Sequence, residues 1–189
     1  MVHRAMMTVC RAMALVGGLV LIALITLVCV SIMGRALNGM LHGMGDLALA
    51  KTLLDLGVGP VTGDFELVEA GMAFAIFAFL PLCQITGAHA SVDIFTSKLP
   101  PWGLRVLKAA IEVLFATVLI VITLQLYEGT QSKMRSGQTT FLLQFPVWWA
   151  YLASLFASGL AAIVAGYMVV LRFWAVLTGD ERLLENDAP

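Results

Sequence analysis

Four long apolar stretches alternate with shorter polar segments along the chain. Residues 12–34 contain no charged side chain, and as a helix they would extend about 34 Å, enough to cross the roughly 30 Å hydrocarbon core of a bilayer. The other three apolar stretches lie at about 67–88, 104–127 and 147–171. The pattern predicts an all-α integral membrane protein with four transmembrane helices in one domain, residues 1–189. The first stretch exceeds the apolar core of about 7–15 residues in a signal peptide, so we expect it to be a permanent helix.

Aromatic side chains flank the fourth stretch. Trp148, Trp149 and Tyr151 lie at its beginning, and Phe173 and Trp174 lie at its end. Such side chains prefer the level of the lipid headgroups. Both ends of the fourth helix are therefore predicted to be anchored at an interface.

Ionisable side chains fall near the ends of the predicted spans. Arg35, Glu69, Glu112 and Glu128 all take such positions, so no proton or ion relay at the centre of the membrane is predicted. Lys108 precedes Glu112 by four residues, which places both on one helical face. We expect these two side chains to pair near the headgroups.

The segment between the first two spans, residues 36–65, is rich in glycine and leucine. Asp46 can cap a short helix that continues to about Leu56, with leucines on one face and Lys51 and Asp55 on the other. We expect this short helix to lie flat on the outer surface. The alternative is a loop that is ordered only by its neighbours.

Basic residues are unequally divided between the two sides of this topology. Seven of the eleven Lys and Arg residues lie on the side of the termini and of the loop between the second and third spans. Because positive charge is retained on the cytoplasmic side, both termini are predicted to be cytoplasmic.

Composition excludes several classes of protein. The chain is 60% hydrophobic and 12% charged, whereas a soluble domain has about 45–50% apolar residues and about 25% charge. Its net charge is −1 and it has no basic cluster, so a nucleic-acid partner is not expected.

The sequence also lacks the patterns of a metal, haem or catalytic site. Its three cysteines are too widely spaced for a zinc or dithiol motif. His3, His42 and His89 fall at or beyond the ends of the predicted spans, which disfavours haem ligation inside the bundle. We therefore predict no metal, no cofactor and no enzymatic activity.

Small residues recur every four positions in the fourth span, at Ser154, Ser158, Ala162 and Gly166. Such a stripe lets a second helix backbone approach closely in lipid. Packing within this chain and packing against a partner explain it equally well.

Two pairs of charged residues lie near the ends of the second span. Arg35 is expected to pair with Glu66 or Glu69, because adjacent antiparallel helices bring their ends to one depth; the alternative is separate solvation of each charge. His89 and Asp93 lie four apart at the other end. We expect them to fix the turn into the third span or to contact a partner, since two such ligands are too few for zinc.

Three local patterns carry a family resemblance. The first is Arg35, which closes the first predicted helix and is followed here by Ala36 where an aromatic residue is usual. The second joins Glu66 and Leu67 to a Gly-x-His at Gly87, Ala88 and His89, then Val92 and Asp93, and a Leu-Pro at Leu99 and Pro100. The third is the series Gly137, Thr139 or Thr140, Leu142 or Leu143, Pro146, Trp148 or Trp149, and Tyr151. Together they resemble the small membrane subunit (DctQ-like) of tripartite ATP-independent periplasmic (TRAP) transporters, although a proline that often follows the tyrosine is absent and the outer loop is longer.

This resemblance implies a three-part transporter in the cytoplasmic (inner) membrane of a bacterium or archaeon. A large DctM-like subunit would hold the substrate and sodium sites and move by an elevator motion. A periplasmic DctP-like binding protein would deliver a small carboxylate or sulfonate. The present chain would brace the large subunit within the lipid. The candidate structural or partner contacts are Arg35, Glu66, Glu69, His89, Asp93, Pro146, Trp148, Tyr151, Ser158, Ala162 and Gly166.

A second interpretation, from another class, is a stand-alone four-helix carrier or a redox-associated membrane subunit. A neighbouring reading frame for a many-spanning protein would distinguish the two.

Overall fold

The computed structural model describes residues 2–43, 57, 59–88 and 100–178. Four helices account for nearly all of them: α1 (Val2–Gly43), α2 (Asp64–Thr86), α3 (Pro101–Ser136) and α4 (Trp148–Thr178). Each is long and apolar enough to cross a membrane. The predicted all-α membrane fold with four spanning helices is confirmed. The predicted surface helix at 46–56, together with His89 and Asp93, lies outside the described residues.

Two helices continue well beyond their apolar stretches. α1 has 42 residues, or about 63 Å at 1.5 Å per residue, and Arg35 lies inside it instead of closing it. α3 likewise continues past Tyr127 to Ser136. Hydropathy marks where lipid contact ends, whereas a helix continues until its backbone is interrupted. In α3 that interruption is Gly137, whose φ of 61° is left-handed.

The helices pack as an open series in the order α1, α2, α4, α3. α2 and α4 lie at the centre, α1 packs on α2, and α3 packs on α4. Within the described part of the chain, α1 and α3 make no comparable contact with each other. In the most apolar window of each helix, at most 28% is buried by the chain itself. Broad apolar surfaces are therefore left on both flanks.

Two small clusters hold the centre of the series together. Met7, Cys10, Ile85, Val164 and Met168 join the beginning of α1 and the end of α2 to the second half of α4. Ala116, Leu119, Ala161 and Ala165 join α3 to α4. The alanines allow close approach of the helices, which is how helices associate in lipid.

The small-residue stripe predicted for α4 is only partly the packing face. Ser154 and Ser158 are buried, but Ala162 is half-buried, and a Cβ added at Gly166 would meet nothing within 4 Å. A spacing of four residues drifts by about 40° per step on a helix of 3.6 residues per turn. The buried face instead follows Ala157, Ala161, Val164 and its neighbours. Packing within the described chain therefore accounts for Ser154 and Ser158 but not for Gly166.

α1 approaches its neighbours most closely at two glycines. A Cβ on Gly17 would lie 2.9 Å from the Cβ of Ala78 in α2, and a Cβ on Gly34 would lie 2.1 Å from the carbonyl oxygen of Gly59. The second distance is far shorter than any non-bonded contact and involves backbone atoms. Gly34 is thus required where the segment before α2 crosses α1.

Gly34→Ala is expected to destabilise the chain by about 1–3 kcal/mol, because the backbone at Gly59 must move to admit the methyl group. The midpoint of thermal unfolding in detergent measures this. Gly39→Ala is the matched control: it lies in the same helix, its added Cβ meets nothing within 4 Å, and helix propensity favours alanine there. Equal unfolding midpoints for the two variants would show that the close approach has no energetic weight.

Candidate partner-contact site

A short hairpin, residues 138–147, connects α3 to α4. The amide of Thr140 donates to the carbonyl of Phe145 at 2.9 Å, and the amide of Val147 donates to the carbonyl of Gln138 at 3.0 Å. Thr139 and Pro146 form an antiparallel bridge. The turn is sharp, with Gln144 at a φ of 57°, a region that non-glycine residues seldom occupy. The hairpin is therefore a defined structure that caps this end of the helices, which we call the hairpin side.

Glu66 in α2 binds the tip of this hairpin through both carboxylate oxygens. Oε1 accepts from the amide of Leu142 at 2.6 Å, and Oε2 accepts from the amide of Leu143 at 3.0 Å. Glu66 is buried. Two successive amides directed at one carboxylate form an anion-binding concavity, here occupied by a side chain of the protein itself. Glu66 thus connects α2 to a loop 76 residues away in the sequence.

The expected pairing of Arg35 with Glu66 or Glu69 is wrong. A guanidinium nitrogen (Nη2) of Arg35 lies 3.4 Å from Oδ2 of Asp64, and the hydroxyl of Ser31, one turn earlier in α1, donates to the same oxygen. Asp64 begins α2 and faces α1. Glu66 lies two residues further, about 200° around the helix axis, so it faces the hairpin instead.

A second polar cluster lies on the side opposite the hairpin. Glu112 of α3 accepts a hydrogen bond from the amide nitrogen of Gln84 in α2, and its other carboxylate oxygen lies 3.6 Å from Nε of Arg172 in α4. Gln84 and Glu112 are buried. The predicted pair of Lys108 with Glu112 is wrong: among the described residues, Glu112 forms its ion pair with Arg172. An ion pair matters most where water is excluded, and Arg172 reaches Glu112 in that interior.

An apolar groove of about 490 Å³ opens on the hairpin side. We call it the hairpin groove and define it by Glu69, Ala73 and Phe77 of α2, Ala150 and Ser154 of α4, and Phe145 of the hairpin. Leu126 of α3 is part of its lining. Glu66 and Tyr151 also line it.

Comparison with known families identifies the class of protein. The family described as "Tripartite ATP-independent periplasmic transporters, DctQ component" matches residues 24–174. The chain belongs to this family. It is thus a multi-pass membrane protein of a transporter-component family, which is not a family of enzymes. No curated protein and no solved structure gives a significant match.

In this DctQ-family chain, two of the segments that carry the resemblance meet in space. Glu66 belongs to the Glu-Leu pattern at the start of α2, and it accepts hydrogen bonds from Leu142 and Leu143 of the Gly/Thr/Leu/Pro/Trp/Tyr series. The series itself forms the hairpin and the first turn of α4. Two segments of the resemblance that are far apart in the sequence are therefore in direct contact.

The remaining candidates of that series are placed around the start of α4. Pro146 closes the hairpin opposite Thr139. The ring of Trp148 lies edge-on to that of Trp149, with ring centroids 6.0 Å apart. Tyr151 packs on α3 at Gly129, where an added Cβ would lie 3.1 Å from the phenol ring. Pro146 and Tyr151 thus take part in the α3–α4 junction of the DctQ component.

Ser158 has an internal role, since its buried hydroxyl donates to the carbonyl of Leu155 at 3.1 Å within α4. Among the described residues, no group of three His, Cys, Asp or Glu side chains is arranged to hold a metal ion.

Three polar residues that form contacts between helices were not predicted as partners from the sequence: Asp64, Gln84 and Arg172. The feature they share in the sequence is position: each lies near the end of a predicted span, at the same depth in the membrane as the group that it contacts.

Proposed function

We propose that this chain is the small membrane subunit of a sodium-coupled TRAP transporter that takes up a small organic acid, a carboxylate or a sulfonate. A periplasmic binding protein delivers the substrate, and the large membrane subunit carries it by an elevator motion. The present chain is embedded in lipid beside the large subunit and braces it. Family membership supports the transporter assignment.

The observation that carries the bracing role is the open helix series. A carrier that acts alone encloses its cargo between helices and shields it from lipid. Here α1 and α3 stand apart at the ends of the series, and large apolar side chains such as Leu19 and Leu124 are exposed, by 69% and 59%. Apolar flanks of this kind suit contact with lipid and with a second membrane protein.

The charged groups buried in the described helices also favour bracing over transport. Glu66 accepts two backbone hydrogen bonds, and Glu112 pairs with Arg172. Each contact joins helices or connects a helix to the hairpin. Groups already bound to the protein in this way are unsuited to select a passing ion.

Reconstitution tests the proposal directly. Proteoliposomes with the large subunit and this chain, supplied with the binding protein and a sodium gradient, should accumulate the substrate. Vesicles that hold only this chain should show no uptake above protein-free vesicles. Sodium-driven uptake by this chain alone would contradict the bracing role, and a large subunit fully active without this chain would show that it is dispensable.

We further propose that both termini are cytoplasmic and that the hairpin side faces the periplasm. The basis is the excess of Lys and Arg on the side of the termini. Alkaline phosphatase fused after Asp46 should be active, and the same enzyme fused after Lys98 should be inactive. Activity at Lys98 would reverse the orientation while leaving the family assignment intact.

A further inference from the structure

The hairpin groove has a mainly apolar lining that also carries two acidic side chains. Its aromatic wall includes Phe77 and Phe145, and its carboxylates are Glu66 and Glu69. Of the described residues that line the groove, none is Lys, Arg or His. An occupant that complements this surface is apolar along its length and cationic at one point.

Glu69 is the carboxylate that is open to such an occupant. Glu66 is already bound by the amides of Leu142 and Leu143, whereas Glu69 makes no hydrogen bond or ion pair with the part of the chain that the structure describes. Glu69 lies about 8 Å along α2 from its start at Asp64. Phe65 and Met72, on the same stretch of helix, are exposed by 56% and 45%. A carboxylate without a partner among exposed apolar side chains is stabilised when a cation meets it.

Ser154 provides a second, independent polar group. It is 2% exposed, its Oγ has no hydrogen-bond partner among the described residues, and it lines the groove. A buried hydroxyl left unpaired in one chain is satisfied when a second chain supplies a donor or an acceptor. Ser154 therefore points to an occupant with a second polar group, apart from the one that meets Glu69.

Small side chains in the lining of the groove favour the binding of a helix. Ala70 and Ala73 of α2 and Ala150 of α4 are small, and small side chains let another helix backbone come close, with dispersion and weak hydrogen bonds as the attraction. A helix that enters from the hairpin side would contact both Glu69 and these alanines with its terminal turns.

We propose that the hairpin groove receives one end of a transmembrane helix of the large subunit, and that a lysine or arginine of that helix pairs with Glu69. A polar atom of the same helix meets the hydroxyl of Ser154. This assignment rests on the proposed function, because it takes the large subunit as the neighbour in the membrane.

The first test is retention of the large subunit by an affinity-tagged form of this chain after co-expression. Glu69→Lys places two cations together and should lower retention by at least about tenfold. Glu69→Asp, which keeps the charge, should retain most of it. Glu128→Lys is the matched control, since Glu128 is an exposed carboxylate of α3 on the hairpin side that does not line the groove. Its retention should stay within about twofold of the unmodified chain.

The second test does not depend on how the charge variant folds. A photoreactive benzoylphenylalanine replaces Phe77, which lines the groove, or its neighbour Ile76, which is 56% exposed outside it. Illumination of the complex should crosslink position 77 to the large subunit, at a peptide near a lysine or arginine. Position 76 should give far less of this product.

The outcomes separate the groove from the proposed function. If the unmodified chain retains no large subunit, the proposed function fails. If it does retain the large subunit, the groove assignment is overturned by full retention with Glu69→Lys. A crosslink from position 77 to residues 44–58 of this chain, to a second copy, or to lipid alone would also overturn it.

Discussion

Glu112→Ala is expected to destabilise the chain by about 3–5 kcal/mol, the largest effect of a single substitution that we foresee. Glu112 accepts from Gln84 of α2 and lies 3.6 Å from Arg172 of α4, and both members of the ion pair are largely buried. Removal of one partner leaves an uncompensated charge in a medium of low dielectric constant. Three helices lose their shared contact at the same time.

Unfolding in mixed micelles of mild detergent and dodecyl sulfate, followed by the fluorescence of the four tryptophans, measures this loss. The double variant Glu112→Met with Arg172→Met is the control. Because it removes both charges and keeps the volume, it should recover much of the stability. A loss below about 1 kcal/mol for Glu112→Ala would show that water reaches the pair and screens it.

Glu66→Ala is expected to release the hairpin from α2. The amides of Leu142 and Leu143 lose the carboxylate that accepts from them, and hydrogen bonds to a charged group are the stronger kind. Amide hydrogen exchange at these two positions should accelerate by at least about tenfold. Glu66→Gln keeps one acceptor oxygen and should have a smaller effect.

Exchange measured by mass spectrometry on the hairpin peptide checks this prediction. Glu128→Ala, which removes an exposed carboxylate away from the hairpin, should leave the exchange rate unchanged. Protection of Leu142 and Leu143 that persists in Glu66→Ala would mean that hydrogen bonds within the hairpin are sufficient.

The number of helices and their positions along the chain could be predicted from hydropathy, because in lipid every backbone polar group must be bonded within its own segment. Helix ends did not follow from it. Residues 36–43 prolong α1 although they add little to the apolar stretch, since nothing in them interrupts the backbone. Family membership followed from short patterns whose spacing along the chain agreed.

Contacts between side chains were less predictable, for a geometric reason. Arg35 and the acidic start of α2 were correctly placed at one depth, but depth does not specify rotation about the helix axis. Asp64 and Glu66 differ by about 200° in that rotation, so one faces α1 and the other faces the hairpin. Because rotation about the helix axis was not known, the pairing of Glu112 with Arg172 was not predicted. Lys108 lies on the same helix face as Glu112 and is nearer to it in sequence.

The open order α1, α2, α4, α3 has a mechanical consequence for a protein held in a bilayer. Neighbouring helix axes lie about 10 Å apart, so the outermost axes of such a series can stand up to about 30 Å from each other. A roll of about 10° would raise one edge helix by about 5 Å relative to the other, and each ångström of displacement exposes apolar surface to water at a cost of a fraction of a kcal/mol. A square bundle of the same four helices would be displaced by only about a third as much. In the transporter that we propose, such a series would resist tilting of the large subunit while its moving domain travels along the membrane normal.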